Sequence, residues 1–293
     1  MSDAAGSAPK TVLPIEAAKV FFGGIFAEPV RLAHPEGVAV DPRDGAVWCG
    51  TETGDLLRIE PDGSAMRAVA CTNGWIAGIA FAGSTLFACD IRHGAVFALD
   101  TDNRVLRKFS DVPIQIPNYP VVDLKRGRLY VSDSHSFETP GPGVWSFDLK
   151  TGQGTLWFAD DLRFANGMAL SADGNGLYVV ESMAQRVVRI PINADGTPGK
   201  PETVVSGLAE FPDGIALDAS GALYISCYEP SQIYRYDPVR GLEVFVRDRV
   251  ATLMCHPTNI AFRGTTLFAT NLGRWHITEI ATTAEGAPVP VRA

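Results

Sequence analysis

Apolar residues along this chain gather in short runs, and none of the runs keeps a 3.6-residue period over the roughly 11 to 18 positions of an amphipathic helix. Val, Ile, Leu, Phe, Tyr and Trp instead fill segments of about four to six residues, punctuated by Gly, Asp, Asn and Pro, which is the pattern of strands joined by tight turns. Residues 214–217 read as an apolar strand, 218–221 (DASG) as a turn, and 222–226 (ALYIS) as a second strand. A third strand alternates over 232–236 (QIYRY), 237–241 turns again, and 242–246 makes a fourth. The same order is expected elsewhere, with second and third strands at 46–49 and 56–59, 86–88 and 95–99, 129–131 and 144–147, 177–180 and 186–190, and 267–269 and 276–280.

A short phrase returns at the head of each unit: Glu36-Gly37-Val38-Ala39, Ala77-Gly78-Ile79-Ala80, Tyr119-Pro120-Val121-Val122, Asn166-Gly167-Met168-Ala169, Asp213-Gly214-Ile215-Ala216 and Thr258-Asn259-Ile260-Ala261. The copies start at 36, 77, 119, 166, 213 and 258, so the steps are 41, 42, 47, 47 and 45 residues. Such steps fall in the range of about 40 to 50 residues for propeller blades. The expected fold is all-β, a six-bladed β-propeller of four-stranded antiparallel blades. The sixth unit lacks a clear fourth strand, and residues 18–22 (AKVFF) supply it, closing the ring and removing exposed edges.

Length and composition are compatible with one domain over 1–293, flanked by a flexible tail over 1–15 and a C-terminal tail over 287–293. Radial blades add local cores, so length does not force a second domain. No apolar run approaches the ~18 residues that cross a bilayer, and the opening MSDAAGSAPK has neither the basic nor the apolar region of a signal peptide, so a cytoplasmic protein is expected. Five cysteines without a CxxC pair argue against a disulfide framework or a zinc ribbon, and Cys49, Cys89 and Cys227 fall in second strands as packed thiols. A net charge of −8 with no Lys/Arg cluster argues against nucleic acid or an anionic membrane as partner. Nothing in the sequence sets the oligomeric state.

In a propeller the inner strands line a central channel, so the first position of every phrase lies at its mouth. Glu36, Asn166 and Asp213 converge there, joined by Asn118 just before the third inner strand. Two carboxylates and two amide oxygens form a hard, oxygen-only set that suits Ca²⁺ better than the Cys and His sets of structural zinc, with Zn²⁺, Mn²⁺ and Mg²⁺ left open. Asp41, Asp123, Asp173 and Asp218 sit with a nearby Gly in the hairpins that follow and read as turn residues. Turn chemistry also covers Asn166-Gly167 and Asp213-Gly214 taken singly, but not Glu36.

The segments HPEGVAVDP, IPNYPVVD, FANGMALSADGNGLYVVES and FPDGIALDASGALYISCYEP resemble the gluconolactonase and regucalcin (senescence marker protein) family, over about 28–280. The resemblance implies a six-bladed propeller that binds a divalent cation in its channel and hydrolyses lactones, with Glu36, Asn166 and Asp213 as cation ligands. It implies further that Asn118 lies near both cation and substrate and that Asp213 is the general base. Related propellers include diisopropyl fluorophosphatases, paraoxonases and strictosidine synthase-like proteins, so the fold alone leaves the reaction open among lactone hydrolysis, phosphotriester hydrolysis and non-catalytic binding. Sugar-lactone members typically read Arg-x-Asn-Asp-Gly in the third blade, whereas this chain reads Ile116-Pro117-Asn118-Tyr119-Pro120. With Ile116 and Tyr119 in place of Arg and Asp, the expected substrate is a small-molecule lactone or ester less hydroxylated than gluconolactone. Connections between second and third strands face the same mouth. The longest, 134–143, carries His135 and Phe137 as candidate substrate contacts and as a partial lid, and Trp275 joins them from 271–275. A solvated loop explains His93, His135 and Glu138 as well, and blade packing explains Trp275 and His276 as well. No GxSxG elbow and no zincin spacing is present.

Overall fold

The computed structural model describes residues 11–23 and 31–288. Six four-stranded antiparallel sheets account for nearly all regular structure, and the only helical turns among these residues are two short 3₁₀ segments, Ile15–Ala17 and Ser182–Ala184. The innermost strands are Pro35–Val40, Ile76–Ala82, Pro117–Asp123, Ala165–Leu170, Pro212–Leu217 and Pro257–Arg263, and each pairs outward with the next strand in sequence. In the sixth blade the outermost strand is Ala18–Gly23, which pairs antiparallel with His276–Ala281 through partners such as Ala18 and Ile280. The propeller and its closure by the N-terminal strand are thus as the repeat predicts. None of the helices among the described residues is long and apolar enough to cross a membrane.

The core is not one mass but six clusters, each wedged between two neighbouring blades. Trp48, Leu56, Ile79, Phe81 and Leu86 fill the gap between the first and second blades. The gap between the sixth and first holds Val38, Val47, Leu57, Phe268 and Ile277, so the ring is sealed by the same apolar packing that joins sequential blades. Burying a Leu, Ile or Phe in such a wedge contributes about 1.5–3 kcal/mol. Side chains alternate between the two faces of a strand, which is why runs rich in β-branched and aromatic residues can serve two adjacent wedges at once.

The terminal segments are more engaged than expected. Residues 1–10 lie outside the described residues, but Val12 and Leu13 donate backbone hydrogen bonds to the Val244 and Phe245 carbonyls at 3.0 and 2.7 Å, and Leu13 and Ile15 pack on the wedge between the fifth and sixth blades. At the other end 289–293 lie outside the described residues, while the Ala287 amide donates to the Leu217 carbonyl at 3.0 Å. Cys49, Cys89 and Cys227 are fully buried free thiols.

Candidate functional site

Every inner strand breaks register at the same place. The irregularity falls between Pro35 and Val38, Ile76 and Ile79, Pro117 and Pro120, Ala165 and Met168, Pro212 and Ile215, and Pro257 and Ile260. A bulge inserts an unpaired residue and re-aims its side chain. The two residues inside it are Glu36-Gly37, Ala77-Gly78, Asn118-Tyr119, Asn166-Gly167, Asp213-Gly214 and Thr258-Asn259. The third copy of the repeat therefore begins at Asn118 rather than Tyr119, and Asn118 holds the same structural position as Glu36, Asn166 and Asp213.

The second residue of the bulge faces the neighbouring blade. A Cβ on Gly37 would stand 2.2 Å from the Ala77 carbonyl oxygen, on Gly167 2.5 Å from that of Asp213, and on Gly214 2.6 Å from that of Thr258. Inner strands lie so close at the donors that only glycine fits at these three positions. Tyr119 takes the equivalent position in the third blade, and its ring packs on the wedge between the third and fourth blades.

Glu36, Asn118, Asn166 and Asp213 line one cavity of about 420 Å³. All four are buried, at 7, 3, 3 and 9 % exposure. The Trp75 indole N–H donates to Glu36 Oε2 at 2.9 Å, and Asn166 Nδ2 donates to Asp213 Oδ2 at 3.1 Å and to Ser182 Oγ at 3.2 Å. Burial pushes the Glu36 carboxyl up to about 7 against the lowering effect of Trp75. Burial, reinforced by the charge of Glu36, pushes Asp213 well above the usual carboxylate range. Both groups are held where their charged forms are disfavoured unless a positive charge joins them.

Backbone upstream of the donors is tied down by the ends of the second strands. Asp90 accepts from the Trp75 amide, Asp133 from the Ile116 amide, and Glu181 from the Arg163 amide, at 3.2, 3.0 and 2.9 Å. Phe164 and Phe211 stand two residues before Asn166 and Asp213 with φ of 60° and 54°. Bulky side chains rarely occupy this left-handed region, at a cost on the order of 1–3 kcal/mol. The turn brings both rings onto the cavity wall.

Three buried oxygens at this cavity, Asn118 Oδ1, Asn166 Oδ1 and Asp213 Oδ1, have no hydrogen-bond partner among the described residues. Each such orphan costs about 1–3 kcal/mol if nothing meets it. Together with Glu36 they form a donor set of carboxylate and amide oxygens, the chemistry of a hard cation site. Among the described residues no three His, Cys, Asp or Glu side chains come together to hold a metal ion. A cation at this cavity would therefore need the asparagines as well as the two acids.

Of the expected substrate contacts, Ile116 and Phe137 line the cavity beside Asn118, and Phe137 stacks on Phe164 with centroids 4.3 Å apart. Tyr119, His135 and Trp275 do not line it. Tyr119 lines instead the second, larger cavity of the channel, where the charge of Asp213 still reaches its phenol. His135 packs back on its own loop, where a Cβ on Gly141 would stand 2.2 Å from its ring, and Trp275 meets the His34 ring edge-on at 5.3 Å. Sequence reasoning missed Trp75, Phe164, Phe211, Tyr228 and Thr258 as lining residues. Phe164 and Phe211 carry a readable signal, since FANG and FPDG repeat the same aromatic two places before the donor.

Residues 91–272 match the family described as SMP-30/Gluconolactonase/LRE-like region. Among curated proteins the chain is similar to protein strictosidine synthase-like 6 of Arabidopsis thaliana, 26% identical over 254 residues, covering 77% of this chain and 64% of that protein. It is also similar to lactonase drp35 of Staphylococcus haemolyticus, 27% identical over 194 residues, covering 61% of this chain and 58% of that one. The matches span less than two thirds of the length of either relative. Among solved structures it resembles a calcium-binding protein, regucalcin, from Agrobacterium tumefaciens, with TM-score 0.75, 21% identity and coverage of 97% and 99% of the two chains. A gluconolactonase from Xanthomonas campestris aligns with TM-score 0.71 and 17% identity over 86% and 88%. At these identities the solved structures speak for the fold alone.

Proposed function

The chain belongs to the SMP-30/gluconolactonase/LRE-like family, and on that premise we propose that it is a divalent-cation-dependent hydrolase that opens a lactone to a hydroxy acid. The observation that carries this reading is the trio of unpartnered buried oxygens, Asn118 Oδ1, Asn166 Oδ1 and Asp213 Oδ1, gathered with Glu36 at one cavity. Glu36, Asn166 and Asp213 would hold the cation with Asn118 beside them, and Ca²⁺ is the ion that best suits this oxygen set. When bound, such an ion supplies the positive charge that polarises an ester carbonyl.

The protein's own groups do the rest. Asp213 accepts the proton of the attacking water as that water adds to the acyl carbon. Asn166, which donates to Asp213 Oδ2, keeps that carboxylate in one orientation. Trp75 does the same for Glu36. Ile91, Ile116, Phe137, Phe164, Phe211 and Leu272 give the cavity apolar walls, and none of its described lining residues is Lys, Arg or His. A polyhydroxylated ring would bury hydroxyls against these apolar walls at about 1–3 kcal/mol for each one unpaired. The preferred substrate is therefore an aryl- or alkyl-substituted lactone.

The test is hydrolysis of dihydrocoumarin and an aliphatic γ-lactone before and after chelation. Loss of turnover in the metal-free protein and its return with calcium are expected; unchanged hydrolysis after complete removal of metal defeats the mechanism.

A further inference from the structure

Three hydroxyls line the donor cavity: Ser182, Tyr228 and Thr258. Two are committed. Ser182 Oγ donates to the Pro212 carbonyl at 2.6 Å, and Thr258 Oγ1 donates to the Glu36 carbonyl at 3.0 Å. The Tyr228 hydroxyl hydrogen-bonds to none of the described residues and is not one of the buried unpartnered atoms, so it stands open to whatever enters the cavity.

Its ring is nonetheless held firmly. Tyr228 follows the second strand of the fifth blade, Leu223–Cys227, and its amide donates to the Phe211 carbonyl at 2.9 Å, so it is fixed to the loop that leads into Asp213. One side of the ring meets His256, with centroids 4.2 Å apart and planes 35° apart, and another meets the edge of Phe211 at 6.4 Å. A polar tip left free on a ring pinned this way is preorganised to meet a ligand rather than the protein.

We propose that the Tyr228 hydroxyl is a catalytic donor, making a hydrogen bond to the ring oxygen of the lactone as the acyl C–O bond breaks. This rests on the lactonase reading above. Ring opening forms one C–O bond from water and breaks another, and the departing oxygen carries the electron pair of the broken bond. That oxygen finally receives the proton that Asp213 took from water, so lactone and water balance to hydroxy acid. Tyr228 meets the departing oxygen while its charge is largest. Burial, followed by the charges of Cys255, Asp213, Glu229 and Glu36, pushes the phenol above its ordinary value, so it keeps the hydrogen it must share at neutral pH.

The experiment compares two leaving groups in the cation-loaded wild type and in Tyr228→Phe. An aliphatic lactone releases a strongly basic alkoxide that needs the donor, whereas dihydrocoumarin releases a phenoxide, whose conjugate acid has a pKa of about 10, and needs it little. We expect Tyr228→Phe to lower kcat/KM on the aliphatic lactone by about tenfold or more, at the modest end of acid–base assistance, and on dihydrocoumarin by less than about threefold. The loss should fall on kcat with KM nearly unchanged. Tyr228→Leu removes the ring packed on His256 as well, and should add an increase in KM on both substrates. Equal losses on the two lactones in Tyr228→Phe, or none, would overturn the proposal and leave the lactonase reading standing. A wild type inactive on both lactones with calcium present would overturn both.

Discussion

The channel has two ends built from the same inner strands, and they differ in what their polar atoms lack. At the end opposite the donors lies the larger cavity, about 670 Å³, with Val38, Ile79, Met168, Ile215 and Ile260 on its walls. Its acids are already engaged. Arg126 donates to Asp123 at 2.8 Å, Ser171 to Asp173 at 2.5 Å, and the Ala222 amide to Asp218 at 3.0 Å. The donor end is smaller, at about 420 Å³, yet three buried oxygens there have no partner. Volume alone does not mark a site. A fold can leave a buried polar atom unsatisfied only where something else meets it or where stability is sacrificed.

The hardest test of that contrast removes a donor. Asp213→Ala should lower kcat/KM by about a thousandfold, since on the proposed mechanism it removes one cation ligand charge and the proton acceptor together. Asp213→Asn keeps an oxygen and should still bind calcium more weakly, with turnover down by about a hundredfold. Activity within threefold of wild type for Asp213→Ala would mean that the donor end is not the site.

Calcium binding should also show in stability. Without a cation, Glu36 stays protonated in the fold up to about 7, while in the unfolded chain it releases its proton near its ordinary 4.5. The folded form thus binds more protons across that window, so the contribution of this group to stability is full below about pH 4.5 and is lost as pH rises to about 7. Asp213, raised by burial and by the charge of Glu36, adds to the fall in the same direction. Free calcium at about a hundred times its Kd should add about 2.7 kcal/mol at neutral pH. Melting curves at about pH 5 and about pH 8, with calcium and with chelator, check this, and a chelated protein that melts no lower at the higher pH would contradict it.

Substrate choice tests the walls rather than the donors. Dihydrocoumarin should exceed gluconolactone in kcat/KM by about tenfold, or ~1.4 kcal/mol, because the walls offer rings and aliphatic side chains to the substrate. Equal or better efficiency on gluconolactone would show that other residues pair with sugar hydroxyls. The smallest effect belongs to the far end. Ile215→Val should cost about 1 kcal/mol of stability through the lost methyl group and leave turnover on both lactones unchanged.

Much of this arrangement is legible in the sequence. The period, the six blades, the turn role of Asp41, Asp123, Asp173 and Asp218, and the closing strand near Ala18 all follow from local patterning. Three of the four donors head their copies of the repeat, and the fourth, Asn118, stands one residue from the frame read at Tyr119. That slip has a physical cause. A bulge is a property of two paired strands, and Pro120 after Tyr119 gives no sign of whether the break opens at 117 or 118.

By itself, then, the sequence determines what repeats, because strand, turn and alternation are short-range consequences of residue type. The tertiary structure alone decides the frame of the third bulge, the placing of Tyr119, His135 and Trp275 outside the donor cavity, and the gathering of Trp75, Phe164, Phe211 and Tyr228 around it. Those side chains come from separate loops. Their directions depend on left-handed backbone at Phe164 and Phe211 and on rings packed across neighbouring blades, contacts between residues too far apart in the chain for any local pattern to record.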